Sequence, residues 1–378
     1  MNKQILSQES FLQILNEVDQ HRLIRLQEIK KFIHNPNLCL FGYGGKGRQI
    51  ANYLKDNINS NLIVFDHNIE RLHLAQLDGF NVIYDINQIE TNNTTTILAA
   101  CQNQIAQANQ IDKNFLFYQE AAYVYDFPFL FNSSKEFTDD LKLQAKKLYH
   151  IYLNIPDSNK EEFLDIIKFR ISLDPRFIQK TKRPNINMWF DYINDNPTKY
   201  KTFLDVGAYD GDTLKMAKKN INITRGIAVE ANNDLISKIN AISHEFPEGI
   251  SIIPYAAWSH ECNLQFDEVR NGMISVYENE NGVLKAVSLD NFVKENIDIL
   301  KMDIEGSEMM ALHGCKNIIK ISFPDITLAS YHRPLDIISL YDFFHDELSL
   351  NDNYNFYFNH YSDCFDDTIL YCINKDTL

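Results

Sequence analysis

Three carboxylates crowd one glycine turn in Phe203-Leu-Asp-Val-Gly-Ala-Tyr-Asp-Gly-Asp-Thr213: Asp205, Asp210 and Asp212. Apolar Phe203, Leu204 and Val206 predict the end of a buried parallel strand. Gly207 and Gly211 let the backbone turn tightly, and Thr213-Leu-Lys-Met-Ala starts a helix. A pyrophosphate would lie on the N-terminus of that helix, where three negative charges repel it. A cationic nucleoside suits the place better, and S-adenosylmethionine, with its sulfonium and ammonium groups, is one. The expected contacts run through Asp205, Gly207, Ala208, Tyr209, Asp210, Gly211 and Thr213. Taken alone, the same residues also describe an ordinary strand-to-helix turn with a cap.

The next strand decides between the two. Gly226-Ile-Ala-Val-Glu230 is apolar until it ends in an acid, twenty-five residues after Asp205. Nucleoside sites in doubly wound sheets carry an acid about 20 residues past the glycine turn, where it can take both ribose hydroxyls. Glu230 and the neighbouring Ala231 are therefore expected at the cofactor. Further on, Asn296-Ile-Asp-Ile-Leu-Lys-Met-Asp-Ile-Glu-Gly-Ser-Glu308 is an apolar strand whose period of two sends Lys301, Asp303 and Glu305 to one side. Crevices of open parallel sheets lie at the carboxyl ends of strands, so Asp205, Glu230 and Asp303 should converge there. His332, closing the apolar run from Asp325, is a candidate general base beside Asp303, which is the alternative base. Asp303 and Glu305 could alternatively hold a divalent ion that acidifies the hydroxyl, but two acids are few oxygens for a hard cation, so the expectation is no metal.

From about Phe203 to its C-terminus, the chain resembles the FkbM family of S-adenosylmethionine-dependent methyltransferases. The resemblance rests on the turn Asp205 to Thr213, the acid-ended Val229-Glu230, Ser288-Leu289-Asp290 and, most specifically, Lys301-Met-Asp-Ile-Glu-Gly-Ser-Glu308. Glu230-Ala231-Asn232 stands where the family more often has Glu-Pro, with the acid kept. Ser330-Tyr-His332 stands where an acid commonly precedes the His. The resemblance implies methyl transfer to a hydroxyl of a sugar, a nucleotide sugar or another polyhydroxylated small molecule.

The elements that must position these residues are legible on both sides of the turn. Asp325 to His332 predicts a fifth strand. Asn355-Phe-Tyr-Phe-Asn-His360 and Asp367-Thr-Ile-Leu-Tyr-Cys372 predict a hairpin that adds an antiparallel strand to the parallel sheet. Near the N-terminus, Leu38-Cys-Leu-Phe-Gly-Tyr-Gly-Gly-Lys-Gly-Arg48 leads into a helix, and Leu62-Ile-Val-Phe-Asp66 is another acid-ended strand. With strands at 81–84 and 95–100 this predicts a smaller Rossmann-like sheet. Its loop is basic, so Gly42, Gly44, Gly45, Lys46, Gly47 and Asp66 form a possible second nucleotide site. The alternative is a turn kept for packing. The expected fold class is α/β: a class I methyltransferase Rossmann-like sheet with an antiparallel C-terminal hairpin, a smaller N-terminal Rossmann-like domain and a helical bridge. The expected divisions are a helical segment at 1–36, the small sheet at 37–135, the bridge at 136–198 and the methyltransferase domain at 199–378.

The chain has 378 residues, enough for two domains with cores, and a net charge of −15. Nucleic acid needs a basic face, so it is not expected as a partner. No apolar run reaches about 18 residues and no secretory pattern opens the chain, so no membrane span and a cytoplasmic location are expected. The six cysteines (Cys39, Cys101, Cys262, Cys315, Cys364 and Cys372) lack C-x-x-C spacing, so reduced thiols are expected. Trp189 and Phe190 are expected in the core, with a substrate platform as the other role. Residues 268–282 are expected as an acceptor loop, and the apolar positions of 6–32 as a candidate interface with a second copy of the chain. The competing function is a nicotinamide- or nucleotide-sugar-binding enzyme run by the N-terminal loop, which lacks a Tyr-x-x-x-Lys or catalytic Cys nearby.

Overall fold

A computed structural model describes residues 5–85, 96–99, 115–125, 135–184, 188–193, 199–268 and 274–377. The first element is the helix Gln8–Ile33, started by Ser7, whose hydroxyl accepts from the Ser10 N–H. Its Phe11, Leu15 and Val18 are buried in one core with Phe163, Ile166 and Ile167 of the helix Lys160–Ser172, and its Ile29 and Ile33 in another with Leu38, Leu40 and Ile50. Part of the apolar surface expected as an interface is thus covered by this same chain, while Leu23 and Ile24 on the helix stay more than half exposed.

Strands Leu38–Phe41 (β1), Ile63–Phe65 (β2), Asn81–Val82 (β3), Thr96–Ala99 (β4) and Phe115–Phe117 (β5) form a parallel sheet in the order β3-β2-β1-β4-β5. The helices Lys135–Leu143, Ala145–Asn154 and Lys160–Ser172 follow, with Leu141 and Leu148 buried in the same core as Phe11.

The larger unit opens with Thr202–Val206 (β6), Arg225–Val229 (β7) and Ile250–Ile253 (β8). Then come Ala256–Ala257 (β9), Cys262–Glu268 (β10), Ile274–Glu278 (β11) and Leu284–Val287 (β12). The chain returns through Ile299–Met302 (β13), Asp325–Ala329 (β14), Tyr354–His360 (β15) and Thr368–Asn374 (β16). Seven of these strands form one sheet, ordered β15-β16-β14-β13-β6-β7-β8, parallel except where β16 runs antiparallel to both β14 and β15. β6 and β13 are buried along nearly their whole length, as expected of strands covered on both faces. Each aliphatic side chain buried there contributes about 1.5–3 kcal/mol.

The remaining strands form a separate sheet, β11-β10-β12-β9. Residues 274–278 are therefore strand rather than loop, because Ser275 to Glu278 pair along β10. Trp189 and Phe190 are buried in the core against Phe203 and Tyr371. Among the described residues the cysteines are free thiols, and Cys101 lies outside them. No helix among them is long and apolar enough to cross a membrane.

Candidate active site

The carboxyl ends of β6, β7 and β13 open onto a cavity of about 630 Å³, closed on its far side by the β9–β12 sheet. Of the residues expected at the cofactor, Gly207, Tyr209, Thr213, Glu230, Ala231 and Asp303 line it. Gly207 has to be glycine: its φ is +79°, and a Cβ there would lie 2.0 Å from the Asp303 carbonyl oxygen. The β6–β13 ladder runs on into this turn, with the Asp303 N–H donating to the Val206 carbonyl at 3.0 Å.

Asp205 is placed differently from expectation. It is fully buried beneath the turn and pairs with Lys301 at 3.1 Å, so it does not face the cavity. Burial pushes its carboxyl up to about 6, against the pull of the Lys301 ammonium. Lys301 also donates to the Gly207 carbonyl at 2.8 Å and lies over the Trp189 ring, 5.2 Å from its centroid. This pair props the turn from below. Ala208, Asp210 and Gly211 likewise shape the turn without lining the cavity. Gly211, at φ +83°, packs where a Cβ would lie 2.7 Å from Ile242 Cδ1.

Glu230 closes β7. Its two oxygens accept from the Tyr209 N–H at 3.0 Å and the Asn232 N–H at 2.8 Å, which fixes the carboxylate at the cavity and leaves each oxygen a further lone pair.

The Lys301–Glu308 block wraps around its last acid. Glu308 is 1% exposed, and one oxygen accepts from the Ile304 N–H at 2.9 Å, the Gly306 N–H at 3.3 Å and His332 Nδ1 at 2.9 Å. The Nε2 of His332 points to Asp303 Oδ1 at 3.4 Å and Glu305 Oε2 at 3.6 Å. Burial disfavours charge on this imidazole, but Glu308, Asp303 and Glu305 outweigh it and raise the ring to about 9. His332 is therefore protonated at neutral pH, and it is buried outside the cavity. Both facts oppose its role as a general base. Asp303, by contrast, reaches the cavity, held by His332 and by the Tyr331 hydroxyl at 3.4 Å. Asp290 of the Ser288–Asp290 element caps a helix instead, accepting from the Asn317 and Ile318 N–H groups at 3.0 and 2.9 Å.

Trp189, for which the sequence offers both core and platform roles, lines the cavity and is also buried in the core. Three other cavity residues carried no local signal: Tyr255 and Trp258 come from the second sheet's edge, and Asp367 comes from the β15–β16 connection. Only their tertiary placement marks them.

In the small sheet, Asp66 is turned toward its own loop, accepting from the Tyr43 N–H at 2.6 Å and the Asn68 N–H at 2.8 Å. Lys46 donates to Tyr118 Oη at 3.0 Å, and Arg48 pairs with Asp78 at 2.7 Å. Gly42, Gly44, Gly45 and Gly47 thus belong to a turn whose charged side chains all have partners in the chain. These contacts favour the packing role over a second nucleotide site.

The strand order with its antiparallel β16 is that of a class I methyltransferase. Residues 205–358 match the model of the methyltransferase FkbM domain, so the chain carries an FkbM methyltransferase domain there and is a methyltransferase. A crystal structure of methyltransferase FkbM from Methylobacillus flagellatus KT is similar over 97% of this chain and 100% of that chain, with a TM-score of 0.70 at 16% identity. That likeness extends the shared fold to the N-terminal sheet. Fibrillarin from Aeropyrum pernix, solved with natively bound S-adenosyl-L-methionine, overlaps 50% of this chain and 73% of that chain at 14% identity and a TM-score of 0.33. No curated protein matches the chain.

S-adenosylmethionine is the cofactor this class implies, and the donor set fits it. The cavity is lined by the carboxylates of Asp212, Glu230, Asp303, Glu305 and Asp367, and Lys301 is already committed to Asp205 and Gly207. A cationic ligand is stabilised by such a field and a phosphate is not.

Proposed function

We propose that the protein is an S-adenosylmethionine-dependent O-methyltransferase acting on a hydroxyl of a sugar or another polyhydroxylated small molecule. The observation that carries this reading is that Asp303 lines the same cavity as Glu230 and the aromatic residues Trp189, Tyr255, Trp258 and Tyr331. Aromatic faces stack on the C–H faces of a sugar ring, while carboxylates accept from its hydroxyls. The same acidic lining disfavours the phosphates of a nucleotide sugar.

The cofactor supplies an activated methyl group. Glu230 is positioned for the ribose diol, and Gly207, Tyr209, Ala231 and Thr213 form the surface against which the nucleoside rests. Asp303 accepts the acceptor's hydroxyl proton, and protonated His332 holds that carboxylate in place. Positioning supplies most of the rate, since aligning an acceptor is worth up to about 7–11 kcal/mol.

The test is release of S-adenosylhomocysteine on incubation with neutral glycosides, nucleotide sugars, amines and carboxylic acids in parallel. The proposal expects turnover with the neutral glycosides and an ether product. Methylation of amines or acids alone would remove it.

A further inference from the structure

Away from the Asp303 centre, His260, Cys262 and Glu278 bring an imidazole nitrogen, a thiol sulfur and a carboxylate oxygen within 4.8 Å of one another. We propose that these three residues form a binding site for a transition-metal ion of the zinc class, with a remaining coordination position open to water.

The strands explain the convergence. Leu264 on β10 pairs with Glu278 on β11, and Cys262 stands two residues before Leu264, on the same face. Leu264 and Val276 on that face line the cavity, and Cys262 and Glu278 continue the same face beyond the lining residues. His260 joins from the bend before β10, with Nε2 3.3 Å from Glu278 Oε2.

The far atom of two ligands is already engaged, as in metal sites whose outer contacts orient the ligands. Ser259 Oγ lies 3.0 Å from His260 Nδ1, which leaves Nε2 for an ion. Trp258 Nε1 donates to Glu278 Oε1 at 2.8 Å, which leaves Oε2. Thiolate, imidazole and carboxylate together select zinc or cobalt over magnesium or calcium. Bonds of about 2.0–2.3 Å place tetrahedral ligand atoms roughly 3.3–3.8 Å apart, so side-chain adjustments on the order of 1 Å close the set. The His260 and Glu278 side chains are 57% and 45% exposed, so an ion has access and a water can complete the shell. A simple His260–Glu278 ion pair would explain two of the residues and would not require the thiol beside them. Because the Trp258 side chain also lines the cavity, a bound ion would tie the far wall of the methyl-transfer site to β11.

The test titrates the whole apo-protein with cobalt(II) and follows the near-ultraviolet thiolate-to-cobalt band, then displaces cobalt with zinc. One cobalt per chain is expected, with the band lost in Cys262→Ser and affinity lowered tenfold or more in both His260→Gln and Glu278→Gln. Absence of the band in the wild type, or a band equally strong in Cys262→Ser, overturns the proposal. The His260 and Glu278 variants alter exposed side chains and keep the fold, so unchanged affinity in both overturns it as well.

Discussion

His332 Nδ1 and Glu308 Oε1 lie 2.9 Å apart, both side chains almost wholly buried, and the turn that carries Asp303 and Glu305 is wound around that contact. The pair makes His332 a positioning residue, because an imidazolium held between carboxylates orders the site and cannot take a proton near neutral pH.

This arrangement predicts a pH window for stability. The ring's value is raised from 6.5 in the unfolded chain to about 9 in the folded one. Its contribution is therefore complete below about pH 6.5 and is lost as pH rises through about 9. Urea unfolding of wild type and His332→Gln should differ by up to about 3 kcal/mol at pH 6, and the difference should shrink by pH 10. A gap that does not change with pH contradicts a protonated His332.

Removing one half of the Asp205–Lys301 pair strands a buried charge. Lys301→Met should cost about 3–5 kcal/mol, and much of that should return in a double variant with Asp205→Leu. Chemical denaturation reads both. A Lys301→Met chain as stable as wild type contradicts the prop assigned to the pair.

Asp303→Asn should lower turnover about a hundredfold or more while S-adenosylhomocysteine affinity stays within a few-fold, the pattern of a lost base. His332→Gln should lower turnover less and shift its pH profile, because that residue acts through Asp303. Near wild-type turnover in Asp303→Asn removes it as the proton acceptor.

The parallel strands and the hairpin were readable from sequence because apolar runs ending in Gly, Asp or Glu leave few alternatives for a doubly covered strand. β11 was obscured by its neighbours in sequence, since Ile274-Ser-Val-Tyr-Glu278 alternates as a strand does but stands between Asn271-Gly272 and Asn279-Glu-Asn-Gly282, which read as loop. Spacing brought Asp205, Glu230 and Asp303 to one end of the sheet. It could not tell which acid faces the cavity, since Asp205 turns toward Lys301 and Glu308 toward His332 through contacts 96 and 24 residues apart. The protonation of His332 depends on those same long-range partners. His260 and Cys262, a one-residue-spaced pair on the approach to a strand, became notable only when Glu278 was folded against them.

The most direct test of the account is calorimetric titration with S-adenosylhomocysteine of wild type and of Glu230→Gln. Hydrogen bonds to a charged partner are worth about 1.5–3 kcal/mol, so the wild type should bind at one site per chain and the variant at least tenfold more weakly. No binding to the wild type, or equal affinity in Glu230→Gln, would contradict the assignment of this crevice to the methyl donor.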